Sequence, residues 1–109
     1  ITGLPGNYAI IIAVIRSFAD EATADVYYGR ETKAARRLPK PLWTVIRRKL
    51  DALHRARSRQ DLRLPAGNRL EALKGDRAGA FSVRVNDQYR LTFRWEKGDA
   101  YDVTCEDYH

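Results

Sequence analysis

Sulfur is nearly absent from this sequence: 109 residues contain no Met and one cysteine, Cys105. A lone cysteine excludes an internal disulfide framework and any zinc site built from several thiolates. It fits a reducing compartment, so a cytoplasmic protein is expected. Without Met, Ile1 is not an initiator, and the first residues are expected to come from processing or from upstream translation. Long apolar runs are missing as well. The longest, Tyr8 to Ile15, has eight residues, far below the roughly 20 that a membrane helix needs, so no membrane partner is expected. No basic stretch precedes that run and no small-residue cleavage site follows it, which argues against a secretory signal. The seven glycines are scattered and form neither a GxGxxG nor a P-loop, which removes the common phosphate-cradling motifs. The two histidines, His54 and His109, lie far apart with no HxxxH or HExxH, so neither a metal nor a cofactor is expected. No nucleophile elbow supports a Ser-His-Asp triad. His54 itself is expected on the surface.

What is present is arginine. Lys and Arg number 20 against 14 Asp and Glu, a net charge of +6, and fifteen of the 20 are Arg. Residues 30–63 hold twelve of the cations against Glu31, Asp51 and Asp61, whereas residues 96–109 carry five acids against Lys97 alone. A basic body with an acidic end fits a surface that meets a polyanion, and it also fits a merely solvated helix face. The preference for Arg tilts the balance, because a planar guanidinium grips phosphate bidentately and stacks on bases. At 44% hydrophobic and 31% charged, the chain has the composition of one folded domain rather than of a disordered segment.

The periodicities order this domain with helices first and sheet last. Residues 8–18 are β-branched and apolar enough for a strand. Asp20 is placed to cap a short helix that reaches Tyr28 and stops at Gly29. Pro39 and Pro41 bracket the approach to a second helix, whose apolar stripe is Leu42, Val45, Ile46, Leu50 and Leu53, with Arg47, Arg48, Asp51 and Arg55 on the other side. Pro65, Gly67 and Asn68 mark a loop, and after it the period becomes two. Phe81, Val83 and Val85, then Tyr89, Leu91, Phe93 and Trp95, then Tyr101, Val103 and Cys105 alternate with polar residues. Turn residues at Asn86-Asp87 and Lys97-Gly98-Asp99 join them into two hairpins. The expected fold is α+β: two N-terminal helices packed on one face of a mainly antiparallel, twisted sheet whose other face meets water.

That polar face carries the chemical information. Ser82, Arg84, Arg90, Thr92 and Arg94 share it, with Asp102 and Glu106 on the adjoining strand. Arg94 reads as a cross-strand partner of Asp102, worth about 0.2–1 kcal/mol, which leaves Arg84 and Arg90 as candidates for a ligand. The chain closes on Glu106-Asp107-Tyr108-His109, a carboxyl, phenol and imidazole set suited to proton transfer, or else a frayed end. Strand alternation would turn Asp107 and His109 away from the face of Tyr108.

Several segments together resemble a known family: Ile15-Arg16-Ser17-Phe18, the run from Pro65 to Gly79 (PAGNRLEALKGDRAG), Ser82 to Leu91 (SVRVNDQYRL) and the closing Asp107-Tyr108-His109. They are similar to the HigB branch of the RelE/ParE toxin superfamily over about nine-tenths of the chain. The resemblance divides it into a RelE/HigB-like toxin domain over residues 14–109 and an N-terminal extension over residues 1–13 that has no counterpart. Val14 stands where the family's initiator usually does.

The resemblance implies a toxin of a type II toxin–antitoxin module, a metal-independent endoribonuclease that cuts mRNA in the ribosomal A site and is silenced by a HigA-type antitoxin. The ribose 2′-OH attacks the adjacent phosphate, which asks for a base, cations on the phosphorane and an acid for the departing 5′ oxygen. By the family's motif, Lys74 and Arg90 would hold the scissile phosphate, and Asp107, Tyr108 and His109 would move protons and position the nucleotide, with His109 or Asp107 favoured as the base. Glu71 stands where related enzymes can carry a functional His; it would serve as base or pair with Arg69. Arg36, Arg37, Arg47 and Arg48 then read as a surface for ribosomal RNA, with Arg69, Arg77 and Arg84 as further RNA contacts. Two other readings stay open: a gyrase inhibitor like the ParE branch, and a non-catalytic nucleic-acid-binding module.

Overall fold

In a computed structural model of the chain, the described residues are 14–63 and 65–108. The extension over residues 1–13, most of the strand predicted over 8–18, and His109 lie outside them. Two α-helices come first, α1 (Glu21–Tyr27) and α2 (Trp43–Arg55), and four strands follow: β1 (Glu71–Ala72), β2 (Ala80–Arg84), β3 (Tyr89–Glu96) and β4 (Asp99–Asp107). The strands lie in sequence order, each antiparallel to the next. Residues 14–18 continue the sheet beyond β4 in the parallel sense, through single bridges from Ile15 to Ala100 and from Phe18 to Val103. This is the α+β arrangement expected, with a parallel edge added to an antiparallel meander.

Local chemistry explains the boundaries. Helix α1 ends where Gly29 takes a left-handed φ of +73°, a conformation that costs glycine nothing. Asp20 does not cap it with its side chain; that carboxylate accepts the Thr104 hydroxyl at 3.1 Å instead, tying the helix start to β4. Pro41 lies in a single 3₁₀ turn, Lys40–Leu42, that leads into α2. Leu42 therefore falls outside the helix, and the buried stripe is Trp43, Ile46, Leu50 and Leu53. Trp43 can be buried because its indole N–H donates to the Leu38 carbonyl at 2.9 Å. His54 is half-buried rather than on the open surface, and its Nδ1 accepts the Ile15 backbone N–H at 3.2 Å. Helix α2 is thereby fastened to the parallel edge.

The core lies between the helices and one face of the sheet, where Val26, Ile46, Leu50 and Leu53 meet Val83, Leu91, Phe93 and Val103. Fully burying each large aliphatic side chain contributes about 1.5–3 kcal/mol. Cys105 lies at the edge of this core, and burial, helped by the nearby charges of Asp20 and Glu106, pushes its thiol up to about 12. It is no nucleophile. The opposite face departs from expectation. Ser82, Arg90 and Thr92 are buried, not bathed in water, because the segment that includes β1 and the short 3₁₀ turn Gly75–Arg77 folds beside them. Their polar atoms are hydrogen-bonded to one another and to that segment.

Both expected hairpins form. In the first, the Asn86 carboxamide oxygen accepts from the backbone N–H groups of Gln88 and Tyr89, at 2.9 and 2.7 Å. In the second, Lys97 and Gly98 both have positive φ, +52° and +83°, the two-residue geometry that matches strand twist. A register shift interrupts the β3–β4 pairing opposite Asp102, which also has positive φ (+54°). This bulge is held by Ser17, whose hydroxyl accepts the Asp102 N–H at 2.9 Å.

Candidate active site

Arg90 is the best-anchored cation on the outer face. Its side chain is 11% exposed, and a guanidinium so buried must be met by acceptors. Nε donates to the Ser82 hydroxyl at 2.8 Å, while Nη2 donates to the carbonyls of Arg69 and Ser82, at 2.5 and 3.3 Å. Nη1 carries none of these three bonds. The Glu71 carboxylate stands 3.7 Å from Nη2, and the guanidinium carbon lies 5.6 Å from the centre of the Tyr108 ring. Cross-strand register produces this meeting, because Glu71 pairs with Ser82 and Arg84 with Arg90.

Arg69, Glu71, Arg84, Asn86, Asp87, Arg90 and Tyr108 line a cleft of about 220 Å³ around that centre. Among these, the cations outnumber the carboxylates, so the cleft suits an anion. Arg84 pairs with Asp87 on the same hairpin. Lys49 from α2 brings more positive charge close by: burial lowers its pKa first, and the charges of Arg48 and Arg84 lower it further. The cleft has thus gathered Glu71, Arg90 and Tyr108 from the catalytic candidates and Arg69 and Arg84 from the RNA-contact candidates.

Other candidates lie elsewhere. Lys74 is exposed at the start of the 3₁₀ turn and is not part of the cleft lining. Asp107 sits opposite Tyr89 on the other face and accepts the Gln88 amide at 2.9 Å, as strand alternation requires. Tyr108 lies just past the end of β4, its N–H bonded to the Gln88 carbonyl at 2.7 Å. Arg77 reaches over the sheet to Glu106, at 2.6 Å, and to the Thr92 hydroxyl, at 3.3 Å. This network borders a second cleft, of about 380 Å³, which is also lined by Arg94 and Asp102. Burial works to raise the Glu106 pKa, but hydrogen bonds from Arg77 and Thr92 outweigh it and hold the carboxyl below its usual range. Arg94 pairs with Asp102 at 3.2 Å, as the sequence suggested, and also with Glu96. Of the remaining arginines, Arg36, Arg37 and Arg48 are exposed, and Arg47 donates to the Val26 carbonyl at 3.3 Å.

Periodicity missed two residues near the cleft, Lys49 and Asn68. Lys49 was hidden inside a run of helix-surface cations. Asn68 was visible only as a turn residue, yet it is buried. Among the described residues no group of three or more His, Cys, Asp or Glu side chains is gathered where a metal ion could be held, and no helix is long and apolar enough to cross a membrane.

Comparison with known proteins adds an independent line. Residues 16–109 match the family described as the RelE-like toxin of type II toxin–antitoxin system HigB. Toxin HigB-1 of Vibrio cholerae is 44% identical over 76 residues, covering 70% of this chain and 80% of that protein. Endoribonuclease HigB of Proteus vulgaris is 49% identical over 41 residues, 38% of this chain and 45% of that protein. Among solved structures, the YoeB–YefM complex from Staphylococcus aureus contains a chain that superposes with a TM-score of 0.56 at 23% identity, covering 89% of this chain and 97% of that one. At that identity the likeness speaks for the fold.

Proposed function

The chain belongs to the HigB-like family of RelE-like toxins of type II toxin–antitoxin systems, and from that premise we propose that it is a cytoplasmic endoribonuclease that cleaves mRNA in the ribosomal A site. The observation that carries the reading is the cleft where a buried, fully oriented Arg90 meets a carboxylate and a phenol. Oriented donors stabilise a developing charge best when they need not reorganise during the reaction. A phosphate seated against Arg90 would have its pentacoordinate form neutralised there.

In this scheme Glu71 takes the proton of the ribose 2′-OH, and the 2′ oxygen attacks phosphorus. The bond to the 5′ oxygen breaks, leaving a 2′,3′-cyclic phosphate and a 5′-OH after that oxygen is protonated. Glu71 is favoured as base over Asp107 because it shares the cleft with Arg90, whereas Asp107 faces the other way. Tyr108 offers a ring on which the flanking base stacks, a sequence-tolerant contact worth about 1–3 kcal/mol. His109, next in the chain, is assigned the proton for the leaving oxygen, and Lys74 a further contact to the phosphate. Arg36, Arg37, Arg47 and Arg48, with Arg69, Arg77 and Arg84 nearer the cleft, are proposed to meet RNA of the message and ribosome. The controlling partner is proposed to be a HigA-type antitoxin.

The test is primer extension on a reporter mRNA in a cell-free translation system, with and without ribosomes, for wild type, Arg90→Ala and Glu71→Gln. Cuts that require ribosomes and fall about 100-fold or more in Arg90→Ala, while the protein still pellets with ribosomes, are expected. An intact message would overturn the reading, and loss of supercoiling by gyrase in a parallel assay would replace it with the ParE-like one.

A further inference from the structure

Arg90 does not hold itself in place. The carbonyl that receives its Nη2 belongs to Arg69, a non-glycine residue in the left-handed region with φ 46° and ψ 58°. The conformation of residue 69 decides where its carbonyl points, and L-residues leave the left-handed region unless their surroundings fix them. The residue before it is Asn68, 4% exposed, in a single 3₁₀ turn closed by hydrogen bonds from the N–H of Asn68 to the Pro65 carbonyl and from that of Arg69 to the Ala66 carbonyl. Its amide donates to the Leu62 carbonyl at 3.1 Å. Its carboxamide oxygen accepts the ammonium of Lys49, at 2.5 Å, from the middle of α2. A cation-assisted hydrogen bond is among the stronger ones available to an amide, and this one crosses from a helix packed in the core to the turn that aims the carbonyl.

We propose that Lys49 is a positioning residue for Arg90, acting through Asn68 and the Arg69 carbonyl. The series runs from the Lys49 ammonium to the Asn68 oxygen, through one backbone unit to the Arg69 carbonyl, and on to the Arg90 guanidinium. It gives α2 a role in the cleft that differs from surface attraction. A lysine that only drew RNA inward would act on binding, whereas one that fixes Arg90 acts on the step in which charge develops on phosphorus. The catalytic consequence rests on the ribonuclease reading above; the positioning itself does not.

The experiment uses the full chain labelled with ¹⁵N-arginine. The Arg90 Nη–H signals, assigned by their absence from Arg90→Ala, report exchange with water at the nitrogen whose hydrogen the Arg69 carbonyl accepts. Lys49→Met keeps the aliphatic stem and removes the donor; Lys49→Arg restores a donor. Exchange at Arg90 Nη2–H is expected to quicken about tenfold or more in Lys49→Met and to stay slow in Lys49→Arg. In the cleavage assay, kcat should fall about tenfold to 100-fold with KM nearly unchanged in Lys49→Met, with rescue in Lys49→Arg. If circular dichroism shows Lys49→Met unfolded, Asn68→Ser breaks the same link and is read in the same way. Slow exchange retained in a folded variant overturns the proposal, and a rise in KM alone would make Lys49 a phosphate contact. A wild type that cuts nothing while its Arg90 signal responds as expected removes the ribonuclease reading and leaves the positioning intact.

Discussion

At the scale of single residues, the outer face is a set of charges each assigned a task. Arg90, Arg77 and Arg94 look interchangeable in sequence, since each sits in an alternating run of β3 or just before β2. The fold treats them differently. Arg90 is turned inward onto Ser82 and the Arg69 carbonyl, Arg77 spans to Glu106, and Arg94 pairs at the surface. The Glu106–Arg77 pair has a testable pH signature. Hydrogen bonds hold the Glu106 carboxyl below its ordinary 4.5, so the stabilisation is complete above that value and is lost as pH falls through the lower folded value. Wild type should be more stable than Glu106→Gln near neutrality, by up to about 1 kcal/mol given the partial exposure of both groups. The two should converge in acid. Urea melts at pH 7 and near pH 3 check this, and a gap that persists or widens in acid would refute it.

At the scale of elements, legibility tracked periodicity. The three long strands and α2 carry strong alternation or a helical stripe, and the structure places them where that pattern put them. Strand β1 has two residues, too few for any period, and the 3₁₀ turns on either side of it leave no pattern either. Yet that weakly patterned stretch supplies Glu71 and the Arg69 carbonyl to the cleft. The candidate site was therefore readable as residue types and only partly as a place. Arg90 and Tyr108 could be assigned to one face by parity, whereas Asn68 could not be foreseen as a support. Turn chemistry also separates glycines that look alike. Gly98 has a φ of +83°, Gly67 does not have positive φ, and nothing lies within 4 Å of a Cβ at either. Gly98→Ala should therefore cost about 1 kcal/mol in strain alone and lower Tm by a few degrees. Gly67→Ala should be neutral or stabilising by up to about 1 kcal/mol. Equal effects in thermal melts would contradict this account of the second hairpin.

For the molecule as a whole, the sheet separates two environments, helices and core on one side and charged clefts on the other, and Lys49 of α2 is hydrogen-bonded to Asn68, beside the Arg69 that lines one of those clefts. It is also closed by segments far apart in the chain: residues 14–18 lie along β4, and Ser17 meets Asp102 across 85 positions. That closure has a consequence in time. The two hairpins need only short loops to form, whereas docking residues 14–18 must close a loop of most of the chain, an entropic cost that grows slowly with length but is met in full before any contact is gained. The meander is therefore expected to be structured at the folding barrier and the parallel edge to arrive after it. Phe18→Leu should speed unfolding while leaving the folding rate within about twofold, a kinetic φ-value near zero in stopped-flow measurements. The edge would then act as a latch, setting how long the folded molecule persists rather than how quickly it is reached.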